Sequence, residues 1–175
     1  MIQQKRIFVT KMTYAGDLRS AGSGASGLDG ADKLCTLAAK AANKSGTFIA
    51  WLSDSKTNAI DRIKDVGPWY LVGTEEVVFN NKANMMTEPQ RPINRDEMGD
   101  EVEAPWDAVW TGTVAGGKSN CDARLLGCCE DWASIEGKGY KGGGRLGDAS
   151  TTTGWSDKQE DGSCIARYRL YCIEQ

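Results

Sequence analysis

Six cysteines, two glycine-rich segments of phosphate-loop type and a run of carboxylates are the residues whose types and spacing could do chemistry; histidine is absent. Without it, Ser-His-Asp triads, imidazole general bases and His-ligated metal sites are excluded. The cysteines stand at Cys35, Cys121, Cys128, Cys129, Cys164 and Cys172. No two form a Cys-x-x-Cys pair, whereas a structural zinc site usually wants two close pairs. Disulfides are the better reading, with the connectivity left open by the residues themselves, and they imply an oxidising compartment.

Gly22-Ser23-Gly24-Ala25-Ser26-Gly27 matches a dinucleotide fingerprint, with a strand before it and a helix after it. That fingerprint needs its first glycine at the strand end, so that the tight turn brings backbone N–H groups to a pyrophosphate. Here 11 residues lie between Thr10 and Gly22, and strand–helix alternation does not continue downstream. Gly112 to Ser119 satisfies the pattern of a nucleotide-triphosphate loop letter by letter. The chemistry needs a helix start behind the loop and an acidic strand end for magnesium. The chain instead runs on into Asn120-Cys121-Asp122, so this match is read as a surface loop. No nucleotide is expected to bind at either place.

The carboxylates concentrate in residues 88–107, with seven acidic residues against Arg91 and Arg95, a net charge of 2 − 7 = −5. Calcium prefers hard oxygen ligands that an irregular loop can bend round it, and Asn94, Asp96, Glu97 and Asp100 have suitable short spacing. The competing reading has these carboxylates solvated or paired with the two arginines. Calcium is thus the one candidate cation, and no cofactor is required. Glu88, Asn94 and Glu97 are candidate ligand contacts. Of the six tryptophans, Trp51, Trp110 and Trp132 read as core, while Trp106 beside a proline and Trp155 in a glycine-rich loop are candidates for an exposed stacking platform.

The elements that must position these residues are set by periodicity. Residues 6–10 predict a strand and 11–27 a loop. Residues 29–44 predict the one main helix, capped by Asp29, stopped by Gly46, with Ala31, Leu34, Cys35, Ala38, Ala39 and Ala42 on one apolar stripe. Residues 48–52 predict a buried strand and 57–63 a short helix. Trp69–Val72 and Val77–Phe79 predict a hairpin. Residues 80–105 predict a long loop and 108–111 a strand. Residues 112–130 and 137–154 predict loops, Trp132 the start of a short element, and 166–173 a final strand with Tyr168, Leu170 and Cys172 on one face. The first and last strands are expected to pair antiparallel.

The 175 residues suit a single domain, 1–175, with an ordinary hydrophobic share of 40% and a net charge of −3. That balance argues against a nucleic-acid partner. No apolar run approaches the about 20 residues of a membrane span, and Met1 leads straight into a strand with no signal peptide between.

Taken in order, the motifs resemble a bacterial family of secreted or surface-exposed domains with an endostatin-like, C-type-lectin-like fold. They are Ile7-Phe8-Val9-Thr10, Tyr14-x-Gly16-x-Leu18, Gly30-Ala31-Asp32-x-x-Cys35, Ala50-Trp51-Leu52-Ser53-Asp54, Ala59-x-x-Arg62 and Pro92-Ile93-Asn94-x-x-Glu97-x-Gly99. Then come Val109-Trp110-Thr111-Gly112-Thr113, Cys129-x-Asp131-Trp132-x-Ser134, Trp155, Cys164 and the end of the chain from Arg169 to Gln175. Against this family, residues 19–26 and 120–128 look inserted. The resemblance implies an α+β fold of twisted antiparallel sheets with one main helix, long loops and disulfides. It implies the pairs Cys35–Cys172 and Cys129–Cys164, which leaves Cys121 with Cys128.

The resemblance further implies a non-enzymatic extracellular or cell-surface module, lectin-like or adhesin-like, with a glycan or an extracellular protein as partner. The alternative is a structural protein that self-assembles in a surface layer, fibre or virion. Related folds bind sugars through calcium with Glu-Pro-Asn and Trp-Asn-Asp, where this chain has Glu88-Pro89-Gln90 and Glu130-Asp131-Trp132. The formylglycine-generating enzymes use a related fold and a reactive cysteine pair, a reading that needs free thiols.

Overall fold

The computed structural model describes residues 4–122, 124, 127–136 and 143–175. It is a mixed α+β fold with few helices, several sheets and three disulfides. The first strand, β1 (Lys5–Val9), lies inside a five-stranded sheet. On one side it pairs antiparallel with the last strand, β10 (Tyr171–Glu174), as expected, in the register Ile7 to Ile173 and Val9 to Tyr171. On the other it pairs parallel with β3 (Trp69–Leu71). The sheet is therefore mixed and not antiparallel throughout, because the long chain between Val9 and Trp69 is a crossover that returns the strand in the same direction. The edges are β2 (Phe48–Ala50) and β4 (Val77–Phe79), the latter closing the expected hairpin with β3.

Alternation along the strands sends side chains to two cores. Phe8, Ala50, Leu170 and Cys172 join one with the main helix; Ile7, Val9, Leu71, Tyr171 and Ile173 join the other with Trp51, Trp69 and Trp155. Both faces of the sheet are covered. Every buried indole N–H finds an acceptor: those of Trp51, Trp69, Trp110, Trp132 and Trp155 donate to Ser156 Oγ and to the carbonyls of Glu174, Tyr14, Ser53 and Thr87, at 2.7–2.8 Å.

The segment read as loop between β1 and the main helix contains a short helix, α1 (Leu18–Ala21), capped by Asp17. The main helix, α2 (Gly27–Ala41), starts two residues earlier than expected because Ser26, not Asp29, is its N-cap. Ser26 Oγ accepts from the Asp29 N–H at 3.1 Å, and Asp29 reaches back to the Ala25 N–H at 2.8 Å, a reciprocal cap. The Ala25 N–H and then Lys33 hold the Asp29 carboxyl below its usual range. The stop is Asn43, at φ 53°, not Gly46. Its N–H reaches the Lys40 carbonyl and that of Lys44 the Ala39 carbonyl, a Schellman close.

The glycines of the false dinucleotide motif serve close packing. A Cβ on Gly22 would lie 2.0 Å from the Gly30 carbonyl oxygen, and one on Gly27 would lie 2.1 Å from the Asp131 carbonyl oxygen. They let α1 and the turn before Trp132 approach α2. Arg62, at the end of the short helix α3 (Ala59–Arg62), sets its Nη2 against both carboxylate oxygens of Asp32 of α2 at 2.6 and 2.7 Å and donates from Nη1 to the Ala50 carbonyl.

A second, three-stranded sheet joins β5 (Ala108–Trp110), β8 (Gly144–Asp148) and β9 (Asp161–Gly162). Strand β8 falls in the segment read as a glycine-rich loop. The hairpin of β6 (Thr113–Val114) and β7 (Lys118–Ser119) occupies the phosphate-loop match. Residues 137–142 of the expected loop lie outside the described residues. Only Tyr171 onward is regular strand at the chain end; before it Tyr168 and Arg169 make single bridges to Tyr14 and to Val109 of β5. No helix among the described residues is long and apolar enough to cross a membrane.

Candidate functional site

The three disulfides are Cys35–Cys172, Cys121–Cys128 and Cys129–Cys164, and no described cysteine is free. The first ties α2 to β10. The other two anchor the helical turn Gly127–Trp132, whose backbone is unusual. Cys128, Cys129, Glu130 and Asp131 all have φ of 52–56° and ψ of 40–54°, which is left-handed helix built from four consecutive non-glycine residues. Trp132 does not begin an element; it ends this one.

Each L residue in that conformation costs about 1–2 kcal/mol, so the surroundings must hold it. Cys128 and Cys129 are bonded to Cys121 and Cys164. The Asp131 carboxylate accepts from the Ser55 N–H at 2.8 Å and from Ser55 Oγ at 2.6 Å. The Trp132 indole is buried and bonded to the Ser53 carbonyl. Glu130 is the least committed of the four. Glu130→Gly is expected to stabilise the protein by up to about 1 kcal/mol, the relief of the left-handed cost less the extra freedom of glycine in the unfolded chain. A lower melting temperature for the variant contradicts this.

Beside the turn lies a groove of about 530 Å³. Strand β8 places Arg145 in it, opposite Asp161 of β9 in the ladder. The Arg145 Nε is 3.4 Å from Asp161 Oδ1 and 3.5 Å from Asp157 Oδ1. The Asn120 amide, oriented with its oxygen inward, accepts from Nε and Nη2 of Arg145, each at 3.1 Å. Also in the lining, Ser119 Oγ donates to the Asp54 carbonyl at 2.6 Å and Ser55 is held by Asp131. The Cys121–Cys128 disulfide forms part of the lining. Chemically this is an array of fixed hydrogen-bond donors and acceptors of both charges, suited to hydroxyl-bearing or zwitterionic ligands.

The residues anticipated as ligand contacts lie elsewhere and in two places. Glu88 and Trp155 meet at a smaller cavity of about 360 Å³. Trp155, however, is only 3% exposed. It is not a stacking platform, because its glycine-rich loop folds inward and sets the ring against Trp51, Phe79 and Tyr171.

Asn94, Glu97 and Trp106 belong to the acidic loop. Glu97 is buried and accepts from the Lys11 N–H at 2.7 Å. Asp96 Oδ1 accepts from the N–H groups of Met98 and Asp100 at 2.9 and 3.0 Å. Asn94 Nδ2 donates to Glu101, and Asp100 pairs with Lys11. These carboxylates pin the loop instead of converging on one point. Among the described residues no group of three or more Cys, Asp or Glu side chains is placed to hold a metal ion. Trp106 is 73% exposed, as the sequence suggested.

Arg169 links this loop to the rest. Its guanidinium donates to the carbonyls of Trp106, Thr10 and Lys11 at 2.6–2.7 Å. Burial pulls its pKa down, and Asp96, Glu97 and Asp107 push it back up. Sequence reasoning missed the groove residues Ser55, Asn120, Arg145, Asp157 and Asp161. The signal available was Arg145-Leu146 set between glycines, a short alternating strand. Comparison with models of known protein families finds no match, and comparison with curated proteins finds none.

Proposed function

We propose that the chain is a non-enzymatic extracellular or cell-surface binding module of the C-type-lectin-like, endostatin-like fold. It recognises a glycan or an extracellular protein through the groove beside Arg145. The observation that carries the reading is that the groove's polar groups are fixed in advance. Arg145 is held by Asn120, Asp157 and Asp161, Ser55 by Asp131, and the lining is stapled by Cys121–Cys128. A ligand then meets donors and acceptors already ordered, which lowers the entropic cost of binding. The helix-to-last-strand disulfide, the neighbouring chain ends and the long irregular loops support the fold assignment. The disulfides support an oxidising location.

The test is retention of the protein on immobilised glycans and matrix proteins, with calcium and with chelator. Asn120 is exposed and its amide serves Arg145. Asn120→Ala is expected to weaken binding about tenfold, through the loss of the acceptor that holds Arg145 in place, with the melting temperature unchanged. No retention above the bare surface, or a ligand held equally by the variant, overturns the reading. Loss of retention on chelation would show that binding requires a divalent cation.

A further inference from the structure

Three large apolar side chains stand out into solvent on backbone that is locked in place. Trp106 is 73% exposed, Met12 60% and Met98 57%. The Met12 carbonyl accepts from Thr10 Oγ1 at 2.8 Å, the Met98 N–H donates to Asp96 Oδ1 at 2.9 Å, and the Trp106 carbonyl accepts from Arg169 Nε at 2.6 Å. Arg169 also takes the Thr10 and Lys11 carbonyls, and the Lys11 N–H is bound by Glu97. Arg169 thus joins the Trp106 segment to the Thr10–Met12 segment, and Glu97 joins that segment to the one that carries Met98. None of the three lines the Arg145 groove.

Residues 96–107 contribute six carboxylates and no cation; Asp96, Glu97 and Asp107 are buried, and Asp100, Glu101 and Glu103 stand at the surface. The cations near them are Lys11, Arg95, Arg167 and Arg169, of which Lys11 and Arg167 are exposed, so the exposed groups sum to 2 − 3 = −1. Each is committed: Lys11 to Asp100, Arg95 to the Gly99 carbonyl, Arg167 to the Thr13 carbonyl and Arg169 to the Thr10, Lys11 and Trp106 carbonyls. Glu101 and Glu103 are exposed, and among the described residues neither is in an ion pair.

We propose that this face docks a cationic segment of a partner protein that also carries apolar anchors. Trp106 offers an exposed indole face to a Lys or Arg and to an aliphatic side chain. Met12 and Met98 are pliable and polarisable, and they mould to the anchors. Glu101 and Glu103 supply the complementary rim charge. The two surfaces share no residue, so docking here is independent of binding in the groove.

The test uses the whole protein and a short synthetic amphipathic peptide of Lys and Leu, with a Glu and Leu peptide of the same pattern as control. Calorimetry is expected to show binding of the cationic peptide only, weakening as salt is raised. Trp106→Ala and the double variant Glu101→Gln, Glu103→Gln are each expected to weaken it about tenfold. Both alter exposed side chains, so folding is checked by an unchanged melt. Asn120→Ala is expected to bind the peptide normally, which separates this face from the groove. Equal binding of both peptides, equal binding by Trp106→Ala, or no heat with the cationic peptide overturns the proposal. So does light scattering that shows a dimer dissolved by Trp106→Ala, because a second copy would then be the occupant.

Discussion

A chain lacking residues 1–9 is expected not to fold. Strand β1 is internal to the five-stranded sheet, so its loss strips hydrogen-bond partners from both β10 and β3. Ile7, Phe8 and Val9 are fully buried and divide between the two cores. Burial of such side chains is worth about 1.5–3 kcal/mol each, and two new sheet edges add to the loss. A domain has about 5–15 kcal/mol in total. The measurement is near-ultraviolet circular dichroism with a thermal melt. A cooperative transition at the temperature of the full chain would show that the strand is dispensable.

Replacing Cys35 and Cys172 together by Ala is expected to cost the most of any disulfide removal. The bridge closes a sequence separation of 137, against 7 for Cys121–Cys128. The chain-entropy relation gives upper values of about 5 and about 2.5 kcal/mol for the two loops. Cys35 and Cys172 are also fully buried in the core that α2 shares with the sheet, so their sulfurs leave a void as well. Denaturant unfolding of the two double variants checks the order. A smaller loss for the long loop than for the local one would contradict it.

What could be read from the sequence was whatever has a short period. The stripe from Ala31 to Ala39 marks one face of α2, and the alternation in Ile7-Phe8-Val9 and Leu170-Tyr171-Cys172 marks strands buried on both sides. The three disulfide pairs in the structure are those that the family resemblance implied, together with the pair it left over. The parallel pairing of β1 with β3 joins residues far apart in the chain, and no local pattern announces it. Strand β8 was hidden by its glycines. Gly144 and Gly147 are small because a Cβ would lie 2.6 Å from the Trp132 ring and 2.0 Å from the Trp155 carbonyl oxygen. That crowding is tertiary, and with it went Arg145 and the groove. The left-handed turn was equally silent, since Cys and Glu disfavour that backbone, one Asp is too weak a signal, and bonds to distant residues hold it. Trp155 misled for the same reason: its glycine-rich neighbours suggest exposure, while the core that receives it lies elsewhere in the chain.

The pairing of β1 with β10 has a mechanical consequence. Lys5 lies beside Glu174 and Gln175, its Nζ 2.7 Å from the Gln175 carbonyl oxygen. Tension applied through the chain before Lys5 and after Glu174 therefore loads the pair from one end, and it opens like a zipper, one rung at a time. The opening stops at a covalent bond. Once the chain from Lys5 to Cys35 and from Cys172 to Glu174 has been drawn out, the Cys35–Cys172 bridge carries the load. That slack is 30 + 2 = 32 residue steps, about 110 Å when extended. Everything from Cys35 to Cys172, including the Arg145 groove, is bypassed by the force. Met12 lies on the drawn-out segment, so tension takes the Arg169 face apart directly, while the groove bears no force itself but loses the support of β1 and of the first turns of α2.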